Sequence, residues 1–180
     1  YDYLKVRRSN PEKRVSMSEY MIFAFYNLPL EEQKKFLTDT EATLLMRPYN
    51  AESEPYLKDK VCFLRTFSRF IRRDWLYLPE SNPQEFMDFL RRHGSIALKP
   101  ALSSWGIGFK KLDYGDVTDP EDLFESLAAK KYLAEEFLES APELAKYHPP
   151  SLNTIRLISF VNKDRFEVFG AGLRVGNKGL

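Results

Sequence analysis

Four short segments of the chain carry residue types suited to gripping a polyanion. Ser95-Ile96-Ala97-Leu98 reads as a strand that ends in Lys99-Pro100 and opens into the small, polar loop Ala101-Leu102-Ser103-Ser104-Trp105-Gly106-Ile107-Gly108. A sheet that anchors such a loop, small residues that admit anionic oxygens to backbone N–H groups, and a lysine at the strand end together suit a polyphosphate. Taken alone, the Gly106-Ile107-Gly108 spacing equally describes an ordinary hairpin. The Walker order is absent, because Lys99 precedes the glycines and Phe109-Lys110-Lys111-Leu112 re-enters a strand rather than a helix.

The other three segments are Lys58-Asp59-Lys60 at the head of a helix, Glu135-Glu136-Phe137-Leu138 on a strand, and Ser151-Leu152-Asn153-Thr154-Ile155-Arg156 entering another strand. By itself Lys60 reads as a solvated helix residue. A carboxylate of Glu135 or Glu136 pairs equally well with Lys130 or Lys131 at the surface. If Asn162 pairs with Arg165 across a tight turn, the antiparallel register sets Asn153 opposite Arg174 on one sheet face, with Arg156 further along the same strand. The alternative for Arg156 and Arg174 is a solvent-facing hairpin. His93 and His148 lack partners at metal-ligand spacing, and Ser103 and Ser104 lack an identifiable base.

These segments need a scaffold, and the local signals supply one. Ser16-Met17-Ser18-Glu19 caps a helix expected to reach Tyr26, Leu30 to Leu37 forms a second, and Asp39 or Thr40 caps a third that ends near Arg47-Pro48. In residues 61–71, Phe63, Phe67 and Phe70 or Ile71 share a helical face and are expected in the core. Ser81-Asn82-Pro83-Gln84-Glu85 starts a helix that His93-Gly94 ends. Asp119-Pro120 opens a short helix to about Ala129, followed by a strand at residues 131–138. Thr154 to Val161 and Arg165 to Val175 form a hairpin around Asn162-Lys163-Asp164. The fold class is therefore α+β. Residues 1–94 are expected to be helical and the remainder mixed α and antiparallel β.

Composition narrows the function classes. The 180 residues are 43% hydrophobic and 14% aromatic, enough for a packed core. A net charge of +1 offers no global field for nucleic acid or an anionic surface, so an anion must be held locally. The longest apolar run, Met21 to Phe25, is far short of a membrane span. The lone Cys62 excludes an internal disulfide, fits a cytoplasmic protein and is expected to be buried.

Read in series, the four segments resemble the ATP-grasp superfamily. More narrowly, Ser18-Glu19-Tyr20 with Phe23-Ala24-Phe25-Tyr26, the Asp59-Lys60 helix start, Leu98-Lys99-Pro100 and above all Leu152-Asn153-Thr154-Ile155-Arg156 look like the sugar-transfer-associated ATP-grasp family of bacteria. The resemblance implies one subdomain over residues 95–130, carrying the glycine loop, and the start of a second over residues 131–180. It also implies an ATP- and Mg²⁺-dependent ligase that activates a small-molecule carboxylate as an acyl phosphate for attack by an amine or thiol, acting on a bacterial cell-surface sugar or its precursor. It assigns Lys60 and Lys99 to the nucleotide phosphates, and Ser103, Ser104, Gly106 and Gly108 to a loop closing over them. Trp105 is either a lid or a packing residue there. The backbone of Glu135, Glu136, Phe137 and Leu138 would read the adenine edge. Asn153 would join the nucleotide site, and Arg156 and Arg174 would meet phosphoryl oxygens as guanidinium groups.

One departure accompanies this. The family's metal-binding carboxylates and asparagine lie on later strands, so no residue here is nominated as a metal ligand, and the C-terminal part of the fold is expected to be absent. The competing expectation is a catalytically incomplete nucleotide-binding or protein-interaction module.

Overall fold

The computed structural model of the protein describes residues 2–9, 13–104, 106–162 and 165–176. Trp105, Lys163 and Asp164 lie outside the described residues. The chain divides into two compact units, Tyr1–Leu57 and Lys58–Leu180. It is α+β, with two small antiparallel sheets, both in the second unit. No helix among the described residues is long and apolar enough to cross a membrane.

In the first unit the helices are α1 (Asp2–Ser9), α2 (Met17–Ile22), α3 (Leu30–Gln33), α4 (Asp39–Asn50) and α5 (Glu54–Lys58), the last running through the boundary. Ser16 and Glu19 form a reciprocal capping box at the start of α2, as their spacing requires. That helix stops at Ile22 rather than Tyr26, because Ala24 turns left-handed at φ +51° and a 3₁₀ turn over Phe25–Asn27 follows. The turn buries Phe25 against Val15 and Tyr20. The helix expected over Leu30 to Leu37 shrinks to α3, where the buried Gln33 donates to the carbonyls of Phe25 and Leu28 at 3.1 and 2.9 Å. The cap of α4 is Thr38, one residue earlier than expected, since Glu41 three positions on completes its capping box. The helix then runs through Pro48 to Asn50.

The second unit begins with α6 (Lys60–Thr66), whose Asp59 cap accepts N–H bonds from Val61 and Cys62 at 2.8 and 3.2 Å. Its inward residues are Val61 and Leu64. Cys62 is exposed, contrary to expectation, because it stands on the helix face turned away from Val61 and Leu64. Phe63 and Phe67 are only half-buried, their rings 4.9 Å apart, and Phe70 is exposed beneath the Arg69 guanidinium. The aromatic face of this segment is thus a rim rather than a core.

Next come β1 (Trp75–Tyr77), α7 (Pro83–His93), β2 (Ser95–Pro100), β3 (Lys110–Asp113), α8 (Pro120–Ala129) and β4 (Tyr132–Glu136). Asn82 and Glu85 cap α7 reciprocally and Gly94 ends it, both as expected. The strands assemble in the order β1-β4-β2-β3, every pair antiparallel. The region expected to be helical through residue 94 therefore contributes a strand, and one sheet spans residues 75–136 across the expected division at 130/131. The cause is the burial of Tyr132 to Glu135, a run that needs hydrogen-bond partners along both edges.

Alternation along β2 and β4 sorts the two faces of this sheet. Ile96, Leu98, Tyr132 and Ala134 pack with Phe86, Phe89 and Leu90 of α7 and Phe124 and Leu127 of α8. Ala97, Lys99, Leu133 and Glu135 occupy the opposite face. After α9 (Pro142–Ala145), β5 (Thr154–Asn162) and β6 (Arg165–Arg174) form a separate two-stranded sheet.

Candidate functional site

Two lysines brought from different elements define the site. Lys60, at the first turn of α6, and Lys99, near the end of β2, both line a cavity of about 270 Å³ with Ser103, Ser104, Gly106, Ile107 and Phe109. The capped start of α6 sets Lys60 in place, and its backbone N–H donates to the Ala101 carbonyl at 3.2 Å. The side chain runs to the same loop. Its ammonium donates to the Pro100 carbonyl at 2.9 Å, to Ser103 Oγ at 3.0 Å and to the Ser103 carbonyl. Lys60 therefore holds the loop entrance as well as facing the cavity. Burial lowers its ammonium below the usual lysine range and the charge of Lys99 lowers it further, against the opposing pull of Glu135 and Asp59. Two cations close enough to repel are being held beside one hollow.

The loop's geometry explains one of its glycines in detail. Gly106 and Gly108 both take left-handed φ angles, +76° and +77°. At Gly108 a Cβ would sit 2.6 Å from the Pro100 ring, so the loop folds back on the strand end only because that side chain is missing. The Tyr132 hydroxyl fastens it by donating to the Gly108 carbonyl at 3.0 Å. Ile107 N–H to the Ser104 carbonyl (3.1 Å) and Phe109 N–H to the Gly106 carbonyl (3.0 Å) complete two overlapping turns.

Glu135 organises the other side of Lys99. In the sheet register it stands between Trp75 and Ala97, and Lys99 is two residues beyond Ala97 on the same face. Lys99 Nζ donates to Glu135 Oε2, while Arg73 Nε and Nη2 donate to Oε1 at 2.9 and 2.6 Å. Burial pushes the Glu135 carboxyl up, but the charge and hydrogen bond of Lys99, joined by those of Arg73, outweigh it and hold the group below the usual carboxylate range. The surface pairing of Glu135 with Lys130 or Lys131 is replaced by this one, because the side chain is only 3% exposed and a buried carboxylate needs cations within reach.

The remaining expected residues fall elsewhere. Glu136 N–H donates to the Asp74 carbonyl at 3.0 Å and its carboxylate accepts the Asp74 N–H, tying β4 to the entry of β1. Phe137 lies under the Lys111 ammonium, 5.1 Å from the ring centre, and Leu138 is exposed. Asn153 is buried with its polar atoms engaged. Its Nδ2 donates to the carbonyls of Leu144 and His148 at 3.0 and 3.1 Å, and its Oδ1 accepts from Gly176 N–H at 3.2 Å. It braces the base of the hairpin. Arg156 and Arg174 are exposed on β5 and β6 and do not line the cavity. Asn162 does pair with Arg165, but a bulge between Ile158 and Ser159 shifts the register so that Thr154, not Asn153, faces Arg174.

Sequence reasoning missed Arg73, Ile107 and Phe109. A signal for Arg73 exists: a glutamate inside Tyr132-Leu133-Ala134-Glu135, a strand without the polar alternation of a solvated face, demands a cation, and Arg72-Arg73 stands just before the neighbouring strand.

The cavity offers an anion the charge of two ammonium groups, the Ser104 hydroxyl and the backbone of a tight glycine loop, while the Ser103 hydroxyl is donated to the Pro100 carbonyl at 3.1 Å. At about 270 Å³ it is smaller than the roughly 300–1,000 Å³ of sites that enclose a whole drug-sized ligand, and fits the phosphate part of a nucleotide. Among the described residues that line the cavity, none carries a carboxylate. Both oxygens of Glu135, the carboxylate paired to Lys99, are held by cations, and among the described residues no three His, Cys, Asp or Glu side chains gather to hold a metal. No protein-family model matches the chain, and comparisons with curated proteins and with solved structures give no match.

Proposed function

We propose that the second unit binds ATP, with the phosphate chain in the cavity between Lys60, Lys99 and the loop from Ser103 to Phe109. The observation that carries this reading is the meeting of Lys60 and Lys99, distant in sequence, beside one glycine loop. Bringing two ammonium groups together costs stability through repulsion, and a polyanion between them reverses the sign of that cost. The resemblance to the ATP-grasp superfamily extends the proposal to an ATP-dependent ligase that joins a sugar-linked carboxylate to an amine or thiol through an acyl phosphate. Within that reaction Lys60 and Lys99 hold and orient the phosphates, and their charge meets the negative charge that grows on the transferring group. ATP itself would supply the phosphoryl group.

The placement of Arg156 and Arg174 favours a second reading, a nucleotide-binding module without turnover, since neither guanidinium lines the cavity.

Removing Lys99 alone would also strip the buried Glu135 of one of its two cations, so the cleaner test removes both members of the pair. The paired variant Lys99→Met/Glu135→Gln removes both charges together. In isothermal titration, ATP is expected to bind the parent chain and to bind the paired variant at least about tenfold more weakly, with melting temperatures that stay close. Absence of ATP binding by the parent at millimolar concentration ends the nucleotide reading. ATP binding without product formation from carboxylate and amine mixtures selects the module over the ligase.

A further inference from the structure

Arg73 touches the site only through Glu135. It lies two residues before β1, its side chain 28% exposed, and it is not among the residues that line the cavity. Each oxygen of the Glu135 carboxylate is assigned to a different cation, Oε1 to Arg73 and Oε2 to Lys99, and of these two only Lys99 faces the cavity.

The charges decide what this division does. Lys60, Lys99, Glu135 and Asp59, whose charge also reaches Lys60, sum to zero, and Lys99 and Glu135 would cancel each other in a one-to-one pair. Arg73 brings the cluster to +1. It also occupies Oε1, so the carboxylate cannot swing both oxygens onto Lys99 and draw the ammonium back into the sheet.

We propose that Arg73 is a positioning residue for anion binding: by taking up the Glu135 charge on its far oxygen, it leaves the Lys99 ammonium directed at the cavity and electrostatically available to phosphate. The proposal rests on the reading of the cavity as a phosphate site. The groups facing Glu135 are Arg73, Lys99 and, through its charge, Lys60. Lys111 lies across Ala97 on β3, and its ammonium is paired with Asp113 at 2.8 Å.

The test is a set of variants of the full 180-residue chain titrated with inorganic tripolyphosphate, with circular dichroism to verify folding. Arg73→Met is expected to weaken tripolyphosphate binding roughly tenfold to a hundredfold, the scale of one unit charge at a partly screened site. Arg73→Lys keeps the charge and is expected to lose less than Arg73→Met. Arg73→Met/Glu135→Gln removes the cation and the charge it offsets, so binding is expected to return to within a few fold of the parent. Parent-like binding by Arg73→Met overturns the proposal. So does a folded double variant that remains as weak as Arg73→Met, because neutralising Glu135 removes the charge that Arg73 is proposed to take up.

A second readout stands apart from the ligand. Arg73→Met is expected to show a shallower acid limb of stability than the parent, since losing one of the groups that hold the Glu135 carboxyl down moves its folded pKa back toward the unfolded value. An unchanged acid limb overturns the division of charge even if the parent binds no tripolyphosphate, and the latter result by itself ends only the phosphate reading of the cavity.

Discussion

Arg73–Glu135 and Arg165–Glu167 are ion pairs of the same two side-chain types, and they differ in nearly everything that gives an ion pair consequences. The first joins the entry of β1 to β4 with a glutamate only 3% exposed, whereas the second sits within β6 with side chains 81% and 44% exposed. Water screens the hairpin pair and leaves it worth about 0–1 kcal/mol. In the sheet, breaking a buried pair by removing one partner costs about 3–5 kcal/mol, because the charge left behind has no solvent to turn to. The apolar residues repeat the contrast. Phe86 is fully buried between α7 and the sheet, while Phe166 and Phe169 of the hairpin are 67% and 68% exposed. Residue type is shared between the two regions, and burial assigns the energy.

The largest effect that tests this contrast comes from the aromatic pair. Phe86→Ala should destabilise the chain by about 3–5 kcal/mol, and Phe166→Ala by no more than about 0.5 kcal/mol, read as shifts of the urea midpoint. Similar losses for both would mean that the hairpin face is covered in solution, and the comparison would fail. A smaller effect should appear in acid. The folded Glu135 carboxyl lies below its unfolded value, so its stabilisation is complete above the unfolded pKa of about 4.3 and is lost as pH falls through the folded one. Glu135→Gln should accordingly flatten the acid limb of stability below about pH 4.5, and parallel limbs for parent and variant would show that the pair is not what acid breaks. The smallest effect belongs to Arg165→Ala, whose unfolding free energy should stay within about 0.5 kcal/mol of the parent at pH 7, and hardly respond to salt. A loss above about 1 kcal/mol would promote that pair to the class of Arg73–Glu135.

Much of the second unit was legible before any coordinates. The Asn82-Pro83 start and Gly94 end of α7, the Asp119-Pro120 start of α8, and the strands around Leu98, Leu133, Ile155 and Val168 follow from caps and alternation within a few residues. So does the pairing of Asn162 with Arg165. Part of the site was legible too. Lys60, Lys99, Ser103, Ser104 and Gly106 do line one cavity. The resemblance supplied that grouping, since nothing in the local pattern near Lys60 points toward Lys99.

The failures have a common cause as well. Thr38 displaced Asp39 and Thr40 as the cap because Glu41 and the Lys13 carbonyl engage it together, and Lys13 is 25 residues away. Asn153 looked like a ligand-facing residue until the bulge after Ile158 moved the register by one, which hands its place opposite Arg174 to Thr154. Cys62 was expected inside on residue type, but its position on α6 turns it outward.

What the amino-acid order determined alone is whatever a hydrogen bond or an alternation can specify over three or four neighbours: the capped starts of α2, α7 and α8, the glycine end of α7 and strand phase. Tertiary structure decided which cation meets which carboxylate. Glu135 is 36 residues from Lys99 and 62 from Arg73. Only the register of β4 between β1 and β2, together with the burial that makes an unpaired carboxylate costly, selects those two partners over the lysines beside it in the chain.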